Sequence, residues 1–307
     1  MEPDRRDFRG YWDGAPPPPW PQAARLAVSF VVNVEEGAEP SIADGDAVNE
    51  SVYEAAQEVV GRPDPCMESH FAYGPRAGYR RVIEALGAAG VPATFSTCGR
   101  AAERTPWLLR DAVGRGHEVS CHGWTWQSHA YFEIEEERAV IARTYETLTR
   151  ITGTPPVGWH TRSASSANTR ALLLEHGGFL YDSDAYDDDL PRIEQHGDMG
   201  HVVLPYAFDT NDMRFRPGDA FVHGDDFARY CIAAFDRLWE EGWREARMMS
   251  VGLHLRTIGR PARIGGLETL LNHMRKRGGV WFATRREIAT CWRAARGLRE
   301  WQPKARE

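Results

Sequence analysis

The sequence predicts an α/β fold whose parallel sheet is curled into a closed or nearly closed barrel. Three observations carry that expectation. The segment ARLAVSFVVNV, residues 24–34, is a nearly continuous β-branched apolar run, as a strand covered on both faces requires. Similar short runs recur at 92–97, 118–123, 157–161, 179–184, 201–206, 248–255 and 280–284. Most are separated by segments of helical period, and strand–helix repetition of this kind lays parallel strands side by side in a barrel of about seven strands. A chain of 307 residues suits one such domain, and residues 1–307 are read as a single unit.

Taken in order, residues 1–23 form an N-terminal arm. Its stretch GAPPPPWPQAA cannot be helical, because proline lacks the backbone donor and clashes with the preceding turn. The first strand follows at 24–34. Residues 36–72 show no period and are rich in Gly, Pro, Asp and Glu, so they read as a long excursion from that strand's end; such loops are usually functional. Helices are expected at 75–89, near 105–115 and at 133–152, with the strands at 92–97 and 118–123 between them. Pro261 marks the first turn of a later helix.

Composition excludes several classes of function. A charged fraction of 26% and a net charge of −7, without a basic run, leave no phosphate-tracking stripe, so nucleic acid is not a partner. No segment approaches the ~18 continuous apolar residues of a membrane span, and MEPDRRDFRGYWDG has no signal-type apolar core; a cytoplasmic location is expected. Cys66, Cys98, Cys121, Cys231 and Cys291 are odd in number and widely spaced, which predicts buried thiols rather than a disulfide framework or a CxxC zinc site.

A parallel barrel carries its active site at the C-terminal strand ends. Those ends hold Asn33, Glu35 and Glu36, then His122 with Trp124 and Trp126, then His160, Thr161 and Arg162. The acidic run DSDAYDDD and the pair His254 and Arg256 follow. Ionisable groups from separate strands converging on one mouth describe an enzyme pocket for a small molecule.

At these residues the chain resembles the polysaccharide deacetylase (NodB-homology) family, and within it the branch containing metal-independent allantoinases. The stretches that carry the resemblance include GYWDGAPPPPWP, ARLAVSFVVNVEEGAE, MESHFAYGPRAG, HEVSCHGWTW, GGFLYDSDAYDDDLP, LPYAFDTNDMRF and SVGLHLRTIGRPAR, in order along almost the whole chain. The resemblance implies a distorted, incomplete (β/α) barrel. Metal-using members hold a divalent ion with an aspartate pair after the first strand and an HxxxH pair after the third. Here those positions read Val31 and Asn33, then His122 and Trp126. A neutral amide is a poor replacement for a carboxylate and indole has no lone pair to give, so no cofactor is expected. The alternative is a divalent ion such as zinc, with His129 stepping in.

Metal-free hydrolysis leaves Glu35, Glu36, His122 and His254 as the candidate catalytic groups. Adjacent carboxylates repel, which lets one act as a general base. Side-chain alternation favours Glu35, which shares a face with Asn33, whereas the resemblance leaves Glu36 equally open. The resemblance makes His254 the acid for the departing amine and gives His122 the substrate or its oxyanion. Arg76, Arg162 and Arg256 are candidate donors to ring carbonyls, Asp187, Asp188 and Asn211 candidate acceptors for ring N–H groups, and Asn33, Tyr73 and Trp126 further contacts. The expected activity is opening of a cyclic amide or ureide ring, allantoin in the first place. The alternatives are cyclic imide hydrolysis, N-deacetylation of an amino sugar, and a catalytically silent ligand-binding barrel. The loop WHTRSASSANTR, residues 159–170, departs from the glycine-bearing form expected for the ureide substrate. A homo-oligomer is expected from the resemblance, with a tetramer as the state to test.

Overall fold

The computed structural model describes residues 6–51, 55, 57–196, 199–216, 218 and 221–304. The strands run β1 (Leu26–Val34), β2 (Ala93–Thr97), β3 (Glu118–Cys121), β4 (Gly158–Trp159), β5 (Tyr181–Asp182), β6 (Arg192–His196), β7 (Met199–Val203), β8 (Arg247–His254) and β9 (Val280–Phe282). They form one sheet in the order β6-β7-β5-β4-β3-β2-β1-β8, with β9 paired to Leu26–Val28 of β1. Every pairing is parallel except the β6–β7 hairpin. The barrel is therefore incomplete, as the resemblance implied. Between its two ends a single bridge, Asn211 to Gly252, ties the chain leaving β7 to β8.

The helices are α1 (Pro65–Tyr73), α2 (Tyr79–Ala89), α3 (Gly99–Arg104), α4 (Pro106–Gly114), α5 (Ile134–Thr152), α6 (Thr169–His176), α7 (Gly224–Glu241), α8 (Leu255–Ile258), α9 (Pro261–Lys276) and α10 (Arg285–Ala295). All nine residues of β1 are buried, as its apolar run requires. Leu26, Val28, Phe30, Val32 and Val34 belong to the cluster formed with the helices, together with Leu86, Phe95, Leu108, Phe227 and Phe235. A second cluster plugs the N-terminal end of the barrel. In it Trp20 of the arm lies 5.9 Å from Trp281 and 5.6 Å from Trp292, and its indole N–H donates to the Arg247 carbonyl at 3.0 Å.

Several expectations shift. The excursion at 36–72 contains α1, whose start is capped by Asp64 Oδ1 accepting from the Cys66 and Met67 amides. The helix expected at 75–89 is a π-helical turn, Gly74–Gly78, continued by α2. The runs at 157–161 and 179–184 shrink to two-residue strands, and the β6–β7 hairpin was not expected at all. Cys98, Cys121 and Cys231 are buried, but Cys66 is exposed and Cys291 half-buried, so the expectation of buried thiols holds for three of five. Pro261 does open α9.

Candidate active site

Side chains alternate along β1, so the parity that buries Val32 and Val34 against the helices turns Asn33 inward. Glu35 follows Asn33 into a cavity of about 490 Å³ at the C-terminal strand ends. His122, Trp126, His160, Arg162, Asn211 and His254 line the same cavity. Glu36 turns away. Its Oε1 accepts from the Arg256 amide at 3.0 Å, and its carboxyl packs where a Cβ on Gly74 would sit, which explains the glycine there.

Glu35 is the electrostatic centre. Its Oε1 lies 3.4 Å from His122 Nε2 and 3.3 Å from His254 Nε2, while Oε2 accepts from Arg256 Nη1 at 2.8 Å. Burial by itself would raise its pKa, but His254, Arg256 and the two histidine contacts outweigh that and hold it well below the usual carboxylate range. Glu36 is pushed up instead, chiefly by burial, so the neighbouring carboxyls are driven apart in proton affinity.

His254 owes its state to Asp212, which sequence reasoning did not single out. Asp212 sits in the 3₁₀ turn Asp212–Phe215; its Oδ2 accepts from the amides of His254 at 2.8 Å and Ile258 at 3.0 Å. Oδ1 then accepts from His254 Nδ1–H at 2.6 Å, which aims Nε2–H at Glu35. Burial would lower the His254 pKa, but Glu35 and Asp212 overcome it and push the ring up to about 9. An ionised carboxylate and a charged imidazolium thus share one cavity floor.

The opposite wall carries a pair of imidazoles. His122 Nδ1 donates to the His160 carbonyl at 2.6 Å, and the two imidazoles stack with centroids 4.9 Å apart. Burial, then the positive field of His122 and Arg285, holds His160 well below its ordinary pKa. Its Nε2 meets Tyr186 Oη at 3.2 Å, whereas its Nδ1 is buried without a partner. Asn33 Nδ2 donates to Tyr206 Oη at 3.0 Å and to the Leu253 carbonyl at 3.3 Å, leaving Oδ1 buried and unpaired. Both residues line the cavity, and each keeps one buried polar atom without a protein partner.

The remaining predicted contacts divide. Trp126 is buried at the wall between guanidiniums, with Arg162 3.6 Å and Arg256 4.9 Å from its ring centroid. Asn211 lines the cavity, while its Oδ1 caps the Asp212 turn through the Met213 amide. Arg256 braces Glu35 from behind and does not line the cavity. Tyr73 and Arg76 are corrected: Tyr73 accepts from Arg81 Nη1 at 2.7 Å under the Arg260 guanidinium, and Arg76 is exposed on the π turn, both outside the cavity. Asp187 and Asp188 are corrected too, since they face a neighbouring groove where Asp187 pairs with Arg192 at 2.9 Å. His129 is a buried brace on Glu137 at 3.0 Å. Besides Asp212, sequence reasoning missed Tyr186 and Tyr206; the available signal was their place in the acidic run DSDAYDDD and at the end of the strand expected at 201–206.

The donor set does not fit the divalent ion that the fold implies. Val31 offers no lone pair, Asn33 turns its amide N–H groups toward Tyr206 and Leu253, and Trp126 is an indole occupied by two arginines. Among the described residues no group of three His, Cys, Asp or Glu side chains has a metal-holding arrangement.

Comparison with known proteins agrees with this architecture. A Schizosaccharomyces pombe protein named as a polysaccharide deacetylase is 35% identical over 90% of this chain and 92% of its own length. The chain belongs to the polysaccharide deacetylase family. The family's model, described as polysaccharide deacetylase, matches residues 60–179. A solved structure of PuuE allantoinase is 42% identical, covers 94% of this chain and 97% of its own, and superposes with a TM-score of 0.90. A Pseudomonas aeruginosa PAO1 structure described as a polysaccharide deacetylase is 41% identical over 96% and 100% of the two chains, with a TM-score of 0.92. Deacetylases of this family are hydrolases of carbon–nitrogen bonds other than peptide bonds, and that is the reaction class of this chain.

Proposed function

We propose that the protein opens a cyclic amide or ureide ring, in the manner of an allantoinase, without a metal ion. The observation that carries this reading is the meeting of Glu35 Oε1 with the Nε2 atoms of His122 and His254, at 3.4 and 3.3 Å, on the floor of the cavity. These separations are long for direct hydrogen bonds, so a water or a carbonyl oxygen can insert among the three groups. Glu35 takes a proton from water as its oxygen adds to the ring carbonyl. His122 faces the developing oxyanion. The C–N bond breaks as His254 passes its Nε2 proton to the leaving ring nitrogen, and Asp212 keeps the imidazole oriented throughout.

Support for a ring over a sugar polymer comes from the cavity volume of about 490 Å³, which suits a small ligand. The likeness to PuuE allantoinase at 42% identity points the same way. The oligomer belongs to the same proposal: Phe8 and Trp12 of the arm are exposed, and light scattering would give the mass in solution.

The test is turnover of allantoin, hydantoin, a dihydropyrimidine and succinimide by chelator-treated protein, beside a chitin-type N-acetyl sugar. Ring opening should survive the chelator, and Glu35→Gln should lower kcat by about 10³-fold while Glu36→Gln costs less than about tenfold. Activity lost to the chelator and restored by zinc would overturn the metal-free step. Deacetylation without ring opening would overturn the substrate class.

A further inference from the structure

The loop 159–170, where the sequence departs from the form expected of ureide-opening relatives, runs along the cavity wall. It lays Arg162 flat on the Trp126 indole. Nη1 of that arginine donates both to Glu50 Oε2 at 2.5 Å and to the Trp126 carbonyl at 2.8 Å. One nitrogen thus anchors the side chain, and its Nη2 and Nε remain as donors on a residue that lines the cavity. The turn that holds it is strained: Ser163 has φ +50°, a left-handed conformation that costs an L-residue roughly 1–2 kcal/mol and glycine almost nothing.

A second arginine borders the cavity from the Asp212 turn. Arg214 lines it, steadied by the Tyr230 ring at 4.5 Å and the Phe221 ring at 4.8 Å. Among the described residues, the charged groups lining the cavity are three arginines, Arg162, Arg214 and Arg216, and the His254 imidazolium, against two carboxylates, Glu35 and Asp209. Glu35 is on the floor, where it would repel an anion from the reacting position. Charge therefore sorts a ligand by orientation, with an anionic end directed to the wall and an uncharged amide to the floor.

We infer that the preferred substrate is a cyclic amide or ureide bearing a carboxylate substituent, held by Arg162 and Arg214 while its ring amide faces Glu35 and His254. This rests on the ring-opening reading. The test compares hydantoin with hydantoin-5-acetate on the full chain at low salt. The acid should have the higher kcat/KM by about tenfold or more, as a charge-assisted contact gives, with the advantage shrinking as salt rises. In Arg162→Gln, and separately in Arg214→Gln, the acid-to-neutral ratio should fall by about tenfold through the KM of the acid. Equal or poorer use of the acid, or a ratio unchanged in both variants, would overturn the inference and leave ring opening standing. If neither ring is opened, the ring-opening reading fails, and calorimetric affinities for the two compounds decide: tighter binding of the acid, weakened in the variants, upholds the anionic wall, and equal binding overturns it. Should Arg162→Gln fail to fold by circular dichroism, Arg214→Gln carries the same comparison.

Discussion

At the scale of single residues, the state of the site depends on which carboxylate faces which nitrogen. Asp212 accepts from two backbone amides and from His254 Nδ1, so it fixes both the position and the proton of that ring. His254 must be protonated to act as an acid, and its pKa is raised to about 9; activity is therefore present below that pH and lost as pH rises through it. Asp212→Asn can keep the backbone acceptor on its carbonyl oxygen but turns an NH₂ toward Nδ1, which favours the wrong tautomer. The kcat/KM profile of this variant should show the alkaline limb moved to lower pH and the plateau reduced by about 10²-fold or more.

At the scale of elements, β8 and the stretch after β7 build one wall by close backbone approach. Gly252 bridges Asn211, and a Cβ on it would collide with Asn211 Nδ2 and with Tyr206 Oη, the hydroxyl that accepts from both Asn211 and Asn33. Gly252→Ala should cost about 1–3 kcal/mol in urea denaturation, the usual penalty of overpacking, and should weaken substrate binding as a higher KM. The long elements were legible beforehand: β1 and α5 follow their apolar periods within two residues. β4, β5 and β7 overlap the expected runs at 157–161, 179–184 and 201–206, but the two-residue extent of β4 and β5 and the pairing of β6 with β7 were not legible, because pairing with neighbours sets them.

At the scale of the molecule, chemistry and closure occupy opposite ends of the barrel. The candidate catalytic groups crowd the C-terminal strand ends, while the proline arm plugs the other end with Trp20 against Trp281 and Trp292. The arm was expected from its prolines as a surface segment; its tryptophan instead completes a core. Trp20→Ala should cost about 3–5 kcal/mol in denaturant-induced unfolding. Because Trp20 is remote from Glu35, kcat measured well below the unfolding midpoint should stay close to the parent value.

The sequence by itself determined the parallel barrel, the ends of its strands as the place of chemistry, and the set Asn33, Glu35, Glu36, His122, Arg162 and His254 from which the site is drawn. Local patterns suffice for that, since burial on both faces demands long apolar runs and the parallel topology puts their ends together. Side-chain alternation already turned Glu35 toward the cavity, but tertiary structure alone decided that Glu36 braces Arg256, that Asp212 stands behind His254, and that Tyr73, Arg76, Asp187 and Asp188 lie elsewhere. Those assignments depend on distances of a few ångströms between segments far apart in the chain, where burial and neighbouring charge set each proton, and no periodicity along the sequence encodes them.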